Sequence, residues 1–421
     1  MELAQRTPAA QPVPAARQAT QAGAARRPVW RDVNVSNVAA GATAVLWYAF
    51  GVAPLFLGVM AQLALSPEAV SSWFFITFFT SGVSSLFLAL RERMPLAVGW
   101  TVPGLVFLGM AGAGSDVAEL AGASLVAGGI LLLLGLLGLG ERLTRWLPLP
   151  LVLGMFAGGV LHYATDIFAQ LDRQPVVVGA ALAGYLGARA LDRPWLPPVG
   201  GAAAAGIVAA ALAGLVHPGA LVWGPPQLVP VLPHVAPRDV LALSLPLIVL
   251  VVGTGNVQAF GVLASQGYHA PVNLVTGAVG VMSVVNALFG GHPATVQNAG
   301  TAILAGEDAG PREQRYVASL VAGAGCLLLA FGATTAGTLL GVLPASLVAS
   351  LAGLALLRTL MDALGKALAA DLRLGAFFAL AIAASPLTIL GIGPAFWALV
   401  GGYAVSFAVE RPALLRSLGR R

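Results

Sequence analysis

The sequence predicts an all-α integral membrane protein of about 14 transmembrane spans, built as a 7+7 inverted repeat in which spans 3 and 10 are short and broken, each an extended strand plus a half-helix. Three observations predict it. Of the 421 residues 58% are apolar and only 9% are Asp, Glu, Lys or Arg, with a mean hydropathy of +0.87, whereas a soluble domain carries about 25% charged residues. Apolar runs follow one another from Asn37 onward almost without pause, and a helix needs about 20 mostly apolar residues to cross a bilayer. A proline-rich segment then divides these runs seven and seven, and the third run of each half is interrupted by Gly and Pro. This composition excludes a soluble enzyme, a nucleic-acid-binding domain and a disordered scaffold.

Residues 1–32 are rich in Ala, Gln, Pro and Arg and lack the apolar core of a signal peptide, so a disordered cytoplasmic tail is expected there. The spans follow at 37–65, 69–90, 95–112, 117–139, 147–163, 174–190, 198–216, 239–264, 272–289, 293–306, 314–340, 344–364, 373–390 and 393–409. They group into a first repeat at 33–216, an extracytoplasmic linker at 217–238, a second repeat at 239–410 and a cytoplasmic C-terminal tail at 411–421. The linker holds six prolines, at 218, 225, 226, 230, 233 and 237. A repeat with an odd number of spans must enter the membrane upside down the second time, which is the inverted architecture of many secondary transporters.

Basic residues gather on the cytoplasmic side of membrane proteins. With the N-terminus inside, 20 of the 22 basic residues fall inside and only Arg173 and Arg238 outside. The expected location is therefore the cell (inner) membrane, multi-pass, with both termini cytoplasmic. The net charge of +5 and the pI near 9.9 then report topology, and no nucleic-acid partner is expected. Cys326 is the single cysteine, so no intramolecular disulfide forms.

The third span reads Met94-Pro95-Leu96-Ala97-Val98-Gly99-Trp100-Thr101-Val102-Pro103-Gly104. Two prolines and two glycines argue against a continuous helix. Ala97 to Val102 is expected to be extended, with Pro103 in the first turn of a short helix. The tenth span reads Gly290-Gly291-His292-Pro293-Ala294-Thr295-Val296-Gln297-Asn298-Ala299-Gly300. Here Ala294 to Gln297 is expected to be extended, with Asn298 capping a helix that runs to about Ala305. Broken backbone at membrane depth must be buried in protein or line a wet cavity, and matching breaks in two halves are the best sequence pointer to a transport site.

Between Asp239 and Glu307 no charged residue occurs, yet Thr254, Asn256, Gln258, Gln266, Asn273, Asn286, His292, Thr295, Gln297 and Asn298 do. Buried amides need partners. Asn256 and Gln258, beside Gly253 and Gly255, face a site or bond between helices. His292 either binds or shuttles a proton or satisfies backbone exposed by the break. His162 and Asp166 read as interfacial; His217, His234 and His269 read as solvated. No metal-ligand spacing, P-loop or nucleophile motif is present, so no catalysis, metal or cofactor is expected. A cationic cargo would want a central carboxylate. An anion instead wants helix N-termini and neutral donors, and the two broken spans offer two such ends.

Gly255-Asn256 with Gln258, Gly267-Tyr268, Pro271-Val272-Asn273, Thr276-Gly277 and Phe289-Gly290-Gly291-His292 resemble the benzoate membrane transport family, within the uracil-permease-like fold group. Trp100-Thr101-x-Pro103-Gly104 in the first half reinforces the resemblance, which extends over about residues 33–410. It implies a core domain (spans one to four and eight to eleven) and a gate domain (five to seven and twelve to fourteen). It further implies substrate held between spans 3 and 10, a homodimer through the gate domain, and proton-coupled uptake of benzoate or a similar aromatic acid. The family's run after the histidine is Asn-Leu-Ala-Ala-Ile-Thr-like, whereas here Pro293-Ala294-Thr295-Val296-Gln297-Asn298 stands.

The combined expectation is a proton-coupled symporter of a small organic anion, an aromatic monocarboxylate, working by alternating access in the lipid bilayer. Trp100, Thr101 and Gly104, Asn256 and Gln258, and Gly291, His292, Gln297 and Asn298 are the expected substrate-binding residues, with His292 the candidate for proton coupling. A nucleobase or inorganic anion carried by the same fold, and a passive channel or facilitator, are the alternatives.

Overall fold

The computed structural model of the protein describes residues 28–112, 114–142, 147–193 and 196–418; the tail expected over 1–27 lies outside them. Helix α1 (Val35–Gln62) opens on a reciprocal cap between Asn34 and Asn37, and its middle, Trp47–Val52, is wound as a π-helix. Next come α2 (Pro67–Glu92), strand β1 (Val98–Trp100), α3 (Val102–Ala111), α4 (Val117–Leu136), α5 (Leu149–Arg173), α6 (Pro175–Leu191) and α7 (Pro198–Leu212). The second half begins with α8 (Pro237–Ser265). It continues with α9 (Val272–Ala287), β2 (Ala294–Val296), α10 (Asn298–Ala305), α11 (Tyr316–Phe331), α12 (Ala333–Val342), α13 (Ala345–Ala369), α14 (Arg373–Ala383), α15 (Pro394–Val409) and α16 (Arg411–Ser417). Among the described residues seven helices are long and apolar enough to cross a membrane, α11 when counted with the turn before it as Arg312–Phe331, and the other apolar helices are shorter.

The two halves repeat one another. Val98, Leu149 and Pro198 open β1, α5 and α7, and each precedes by 196 residues the residue opening its counterpart (98 to 294, 149 to 345, 198 to 394). Strands β1 and β2 pair antiparallel, Val98 with Val296, Gly99 with Thr295 and Trp100 with Ala294. That register maps onto itself when the halves are exchanged, with Gly99 and Thr295 on the axis. Helix packing follows the same exchange: α4 lies along α9, as α11 lies along α2, and α5 lies along α13. Small residues make the first of these seams possible. At Gly280 a Cβ would sit 2.3 Å from the Leu132 nitrogen, and at Gly135 it would sit 2.3 Å from that of Gly277.

The linker crosses one face as an extended strap. Gln227 and Val229 N–H groups donate to Ser71 and Ser72 Oγ at 3.0 Å each, and His234 N–H donates to the Ala118 carbonyl at 2.8 Å. On the opposite face Asp32 accepts from the Tyr316 hydroxyl at 2.7 Å and pairs with Arg93 at 3.3 Å. Glu410 there accepts the Leu374 and Gly375 N–H groups. Both described chain ends therefore lie on the face away from the strap. Beside them Tyr268, outside the spans, donates to the Arg312 carbonyl at 2.6 Å, and burial pushes its phenol up to about 12.

Several boundaries differ from expectation, each for a local reason. Residues 29–31 form a helical turn and Asp32 is buried, because Tyr316, Arg93 and Asn37 all bond it; the expected tail does not extend this far. The C-terminal segment is likewise helical over Arg411–Ser417. The fifth span runs on to Arg173, so His162 and Asp166 lie within α5 instead of at its end. The run at 314–340 divides into α11 and α12 at Gly332. Helix α14 stops at Ala383, ahead of Pro386, whose ring disfavours a helical residue before it.

Candidate functional site

The paired strands are held from both sides. Ser85 on α2 accepts the Val98 N–H at 3.2 Å and donates back to the Val98 carbonyl at 2.9 Å. Ser283 on α9 accepts the Ala294 N–H at 2.9 Å. A third support comes from α8, whose segment Val251–Val257 is π-wound, as the middle of α1 is. The extra residue in each wide turn turns a side chain off the helical stripe, a device that recurs at functional sites. Here it delivers Asn256, 1% exposed, whose Oδ1 accepts the Val296 N–H at 2.9 Å and the Thr295 hydroxyl at 3.1 Å. Gly255 permits the approach, since a Cβ there would come within 1.8 Å of Thr295 Oγ1.

On the α1 side lies an aromatic box. Trp100 is fully buried between Tyr48 and Phe78, with ring centroids 5.5 and 4.3 Å away. His292 is also fully buried. Its Nδ1 accepts the Trp73 indole N–H at 2.8 Å, so the neutral ring carries its hydrogen on Nε2. Phe56 and Trp73 flank it, and Asn286 Nδ2 donates to its backbone carbonyl at 3.1 Å. Three buried polar atoms here have no partner among the described residues: Trp100 Nε1, His292 Nε2 and Gln297 Oε1.

The two half-helices differ at their starts. Thr101 caps α3 by accepting the Gly104 N–H at 3.1 Å, and Pro103 contributes no N–H, so little of this end is free for an anion. Thr101 and Gly104 therefore serve the cap. At α10 the expectation fails by one residue: Gln297 is the flanking residue and Asn298 the first helical one. The Gln297 N–H continues the strand pairing by donating to the Ala97 carbonyl at 2.8 Å, which delays the helix. No side chain caps α10. Asn298 instead reaches Gln258 Oε1 at 3.4 Å, and Lys366 Nζ from α13 donates to the same oxygen at 2.9 Å. Gly291 turns the chain into β2, with its N–H on the Asn286 carbonyl at 2.7 Å.

A cavity of about 520 Å³ opens on the strap face and descends between α3, α5 and α8 to Pro103, within the roughly 300–1,000 Å³ usual for small-ligand sites. Phe107, Met110, Met155 and Phe156 form its apolar wall, and Arg238 and Asp239 stand among its polar residues. None of the nine expected binding residues lines it. They gather behind its floor, around the strands: Asn256 and Thr101 brace backbone, Gln258 and Asn298 lie together with Lys366, and Trp100, His292 and Gln297 are enclosed. The apolar lining residues left no sequence signal because each is one apolar residue among many. Lys366 did leave one, as the sole lysine of the chain.

The family model described as "Benzoate membrane transport protein" matches residues 31–408. The chain belongs to the benzoate membrane transport protein family. Among curated relatives of this family member, "Inner membrane protein YdcO" of Escherichia coli (strain K12) is 32% identical over 375 residues, 86% of this chain and 93% of that one. The "Benzoate membrane transport protein" of Acinetobacter baylyi is 26% identical over 393 residues, 91% of this chain and 97% of the relative. Among solved structures, that of SLC26A9 superposes with TM-score 0.63 at 13% identity, covering 90% of this chain and 66% of that one. The transmembrane domain of the cyanobacterium bicarbonate transporter BicA superposes with TM-score 0.59 at 16% identity, covering 87% and 96%. At these identities the superpositions show a shared fold. This member of the family thus shares the fold of these solved proteins, and Asn256 of α8 is a side-chain support for β2.

Proposed function

We propose that the protein is a secondary carrier of a small aromatic carboxylate, benzoate or a close relative, coupled to protons and working by alternating access. The observation that carries the reading is the cavity. It is apolar along Phe107, Met110, Met155 and Phe156, as an aromatic ring requires, and it ends at Pro103, at the start of the half-helix α3; the uncapped α10 and Lys366 lie beyond this floor and favour negative charge there. One body comprises α1–α4 and α8–α12 with the strand pair, and the other comprises α5–α7 and α13–α15. The cavity lies between them. Sliding of one body on the other would close the strap face and open the opposite one. The face with both chain ends is taken as cytoplasmic, so the carrier is open outward, in the cell membrane, in fourteen crossings. A homodimer through the second body is part of the same reading.

His292 is the proposed proton-coupling residue. Its Nδ1 holds either the Trp73 hydrogen or a proton, not both, so protonation there would release α2 from β2. Uptake of labelled benzoate into proteoliposomes under an inwardly directed proton gradient tests the whole reading. Accumulation above the equilibrium distribution is expected, and uptake no greater than in empty vesicles, with folded protein confirmed, overturns it.

A further inference from the structure

We propose that Lys366 is the charge-recognising residue of the carrier, and that the carboxylate of the cargo replaces Gln258 Oε1 as the partner of its ammonium. The inference rests on the carrier reading above and adds a residue and an order of events to it.

Lys366 sits near the end of α13, on the body opposite to α8 and α10. Its Nζ meets Gln258 Oε1 at 2.9 Å, and Gln258 Nε2 is committed to the Thr254 carbonyl at 3.1 Å. The amide oxygen is shared, because Asn298 Nδ2 also points to it at 3.4 Å. One neutral oxygen therefore serves an ammonium and a second donor, at the uncapped start of α10. The ammonium, the Asn298 amide N–H and the helix start each favour an anion. Gln297, at the same helix start, is 5% exposed; its Nε2 donates to the Trp100 carbonyl at 3.5 Å and its Oε1 has no partner among the described residues.

A carboxylate is a stronger acceptor for an ammonium than an amide oxygen is, because both partners are charged. It would take Lys366 from Gln258 and bond Asn298 in the same place. The link between α13 and α8 is broken in that exchange, and with it a contact that holds the two bodies together on the termini face. A neutral cargo of the same shape does not compete for the ammonium and leaves the link in place. Selection of anions and release of the closed face are then one event.

The test uses the full-length protein in proteoliposomes, as wild type, Lys366→Arg and Lys366→Gln. Exchange of labelled benzoate and melting temperature with and without benzoate are read in parallel, with benzamide as the neutral probe. Expected are at least a tenfold loss of exchange and loss of the benzoate-induced stabilisation in Lys366→Gln, partial retention of both in Lys366→Arg, and no benzamide effect in any protein. Wild-type exchange rates in Lys366→Gln overturn the proposal while leaving the carrier reading intact. An equal fall in melting temperature with and without benzoate, with exchange preserved per folded molecule, assigns Lys366 a merely structural role and also overturns it. If wild type neither exchanges benzoate nor is stabilised by it, the carrier reading fails. Stabilisation by bicarbonate or sulfate that disappears in Lys366→Gln would then still support Lys366 as the anion-recognising residue, and its persistence would overturn that too.

Discussion

Asn256 Oδ1 accepts the backbone N–H of Val296 at 2.9 Å, so an amide side chain on α8 stands where a third strand would otherwise pair with β2. The site's central backbone is thereby satisfied by one side chain from a neighbouring helix. Removal of a partner from a buried N–H costs about 1–3 kcal/mol. Asn256→Ala should lower the melting temperature in detergent and depress transport together. Unchanged stability would show that Val296 finds another acceptor.

Trp73 is expected to take part in proton coupling through His292. Its indole N–H stabilises neutral His292 by bonding Nδ1, so Trp73→Phe removes an interaction that the protonated ring cannot keep. The link between α2 and the start of β2 is lost with it, and the pH dependence of uptake is expected to change. A pH profile identical to that of wild type, measured in proteoliposomes with Trp73→Phe, would remove His292 from the coupling scheme.

Phe107 and Phe156 should carry affinity for the ring. Burying such a side chain against an apolar partner contributes about 1.5–3 kcal/mol, so Phe107→Ala is expected to raise KM for benzoate roughly tenfold or more per folded molecule, with a fall in melting temperature as well because Phe107 is buried. Competition assays with aliphatic carboxylates provide the check: their inhibition should change less than that of aromatic ones.

The α4–α9 seam offers a stability test with an internal control. A Cβ at Gly280 would lie 2.3 Å from backbone, and overpacking of this kind costs about 1–3 kcal/mol. Gly280→Ala should lower folded yield and melting temperature. At Gly365 in α13 no atom lies within 4 Å of an added Cβ, so Gly365→Ala should be neutral or stabilising by about 0.4–1 kcal/mol. Equal behaviour of the two variants in size-exclusion profiles and thermal melts would contradict the close packing.

The sequence by itself determined the membrane class, the two halves and the two breaks. Apolar run length, proline and glycine act locally, and the run of charges along the chain is one-dimensional information. Thus the extended stretches at Val98–Trp100 and Ala294–Val296 are where Pro95, Pro103 and Pro293 put them. Only the tertiary structure decided what each polar side chain does there. Asn298 reads as a cap, yet the pairing of Gln297 with Ala97 shifts that helix start by one residue and leaves it uncapped, while Thr101, read as a binding residue, caps the other. Asn256 reads as a ligand-binding amide until Val296 is found opposite it, 40 residues away. Lys366 reads as a topology charge until α13 brings it to Gln258, across 108 residues of chain. Hydrogen-bond partners are set by which helices meet and in what rotation. A sequence states that such residues must be satisfied and leaves to the fold which of them remain free for a cargo.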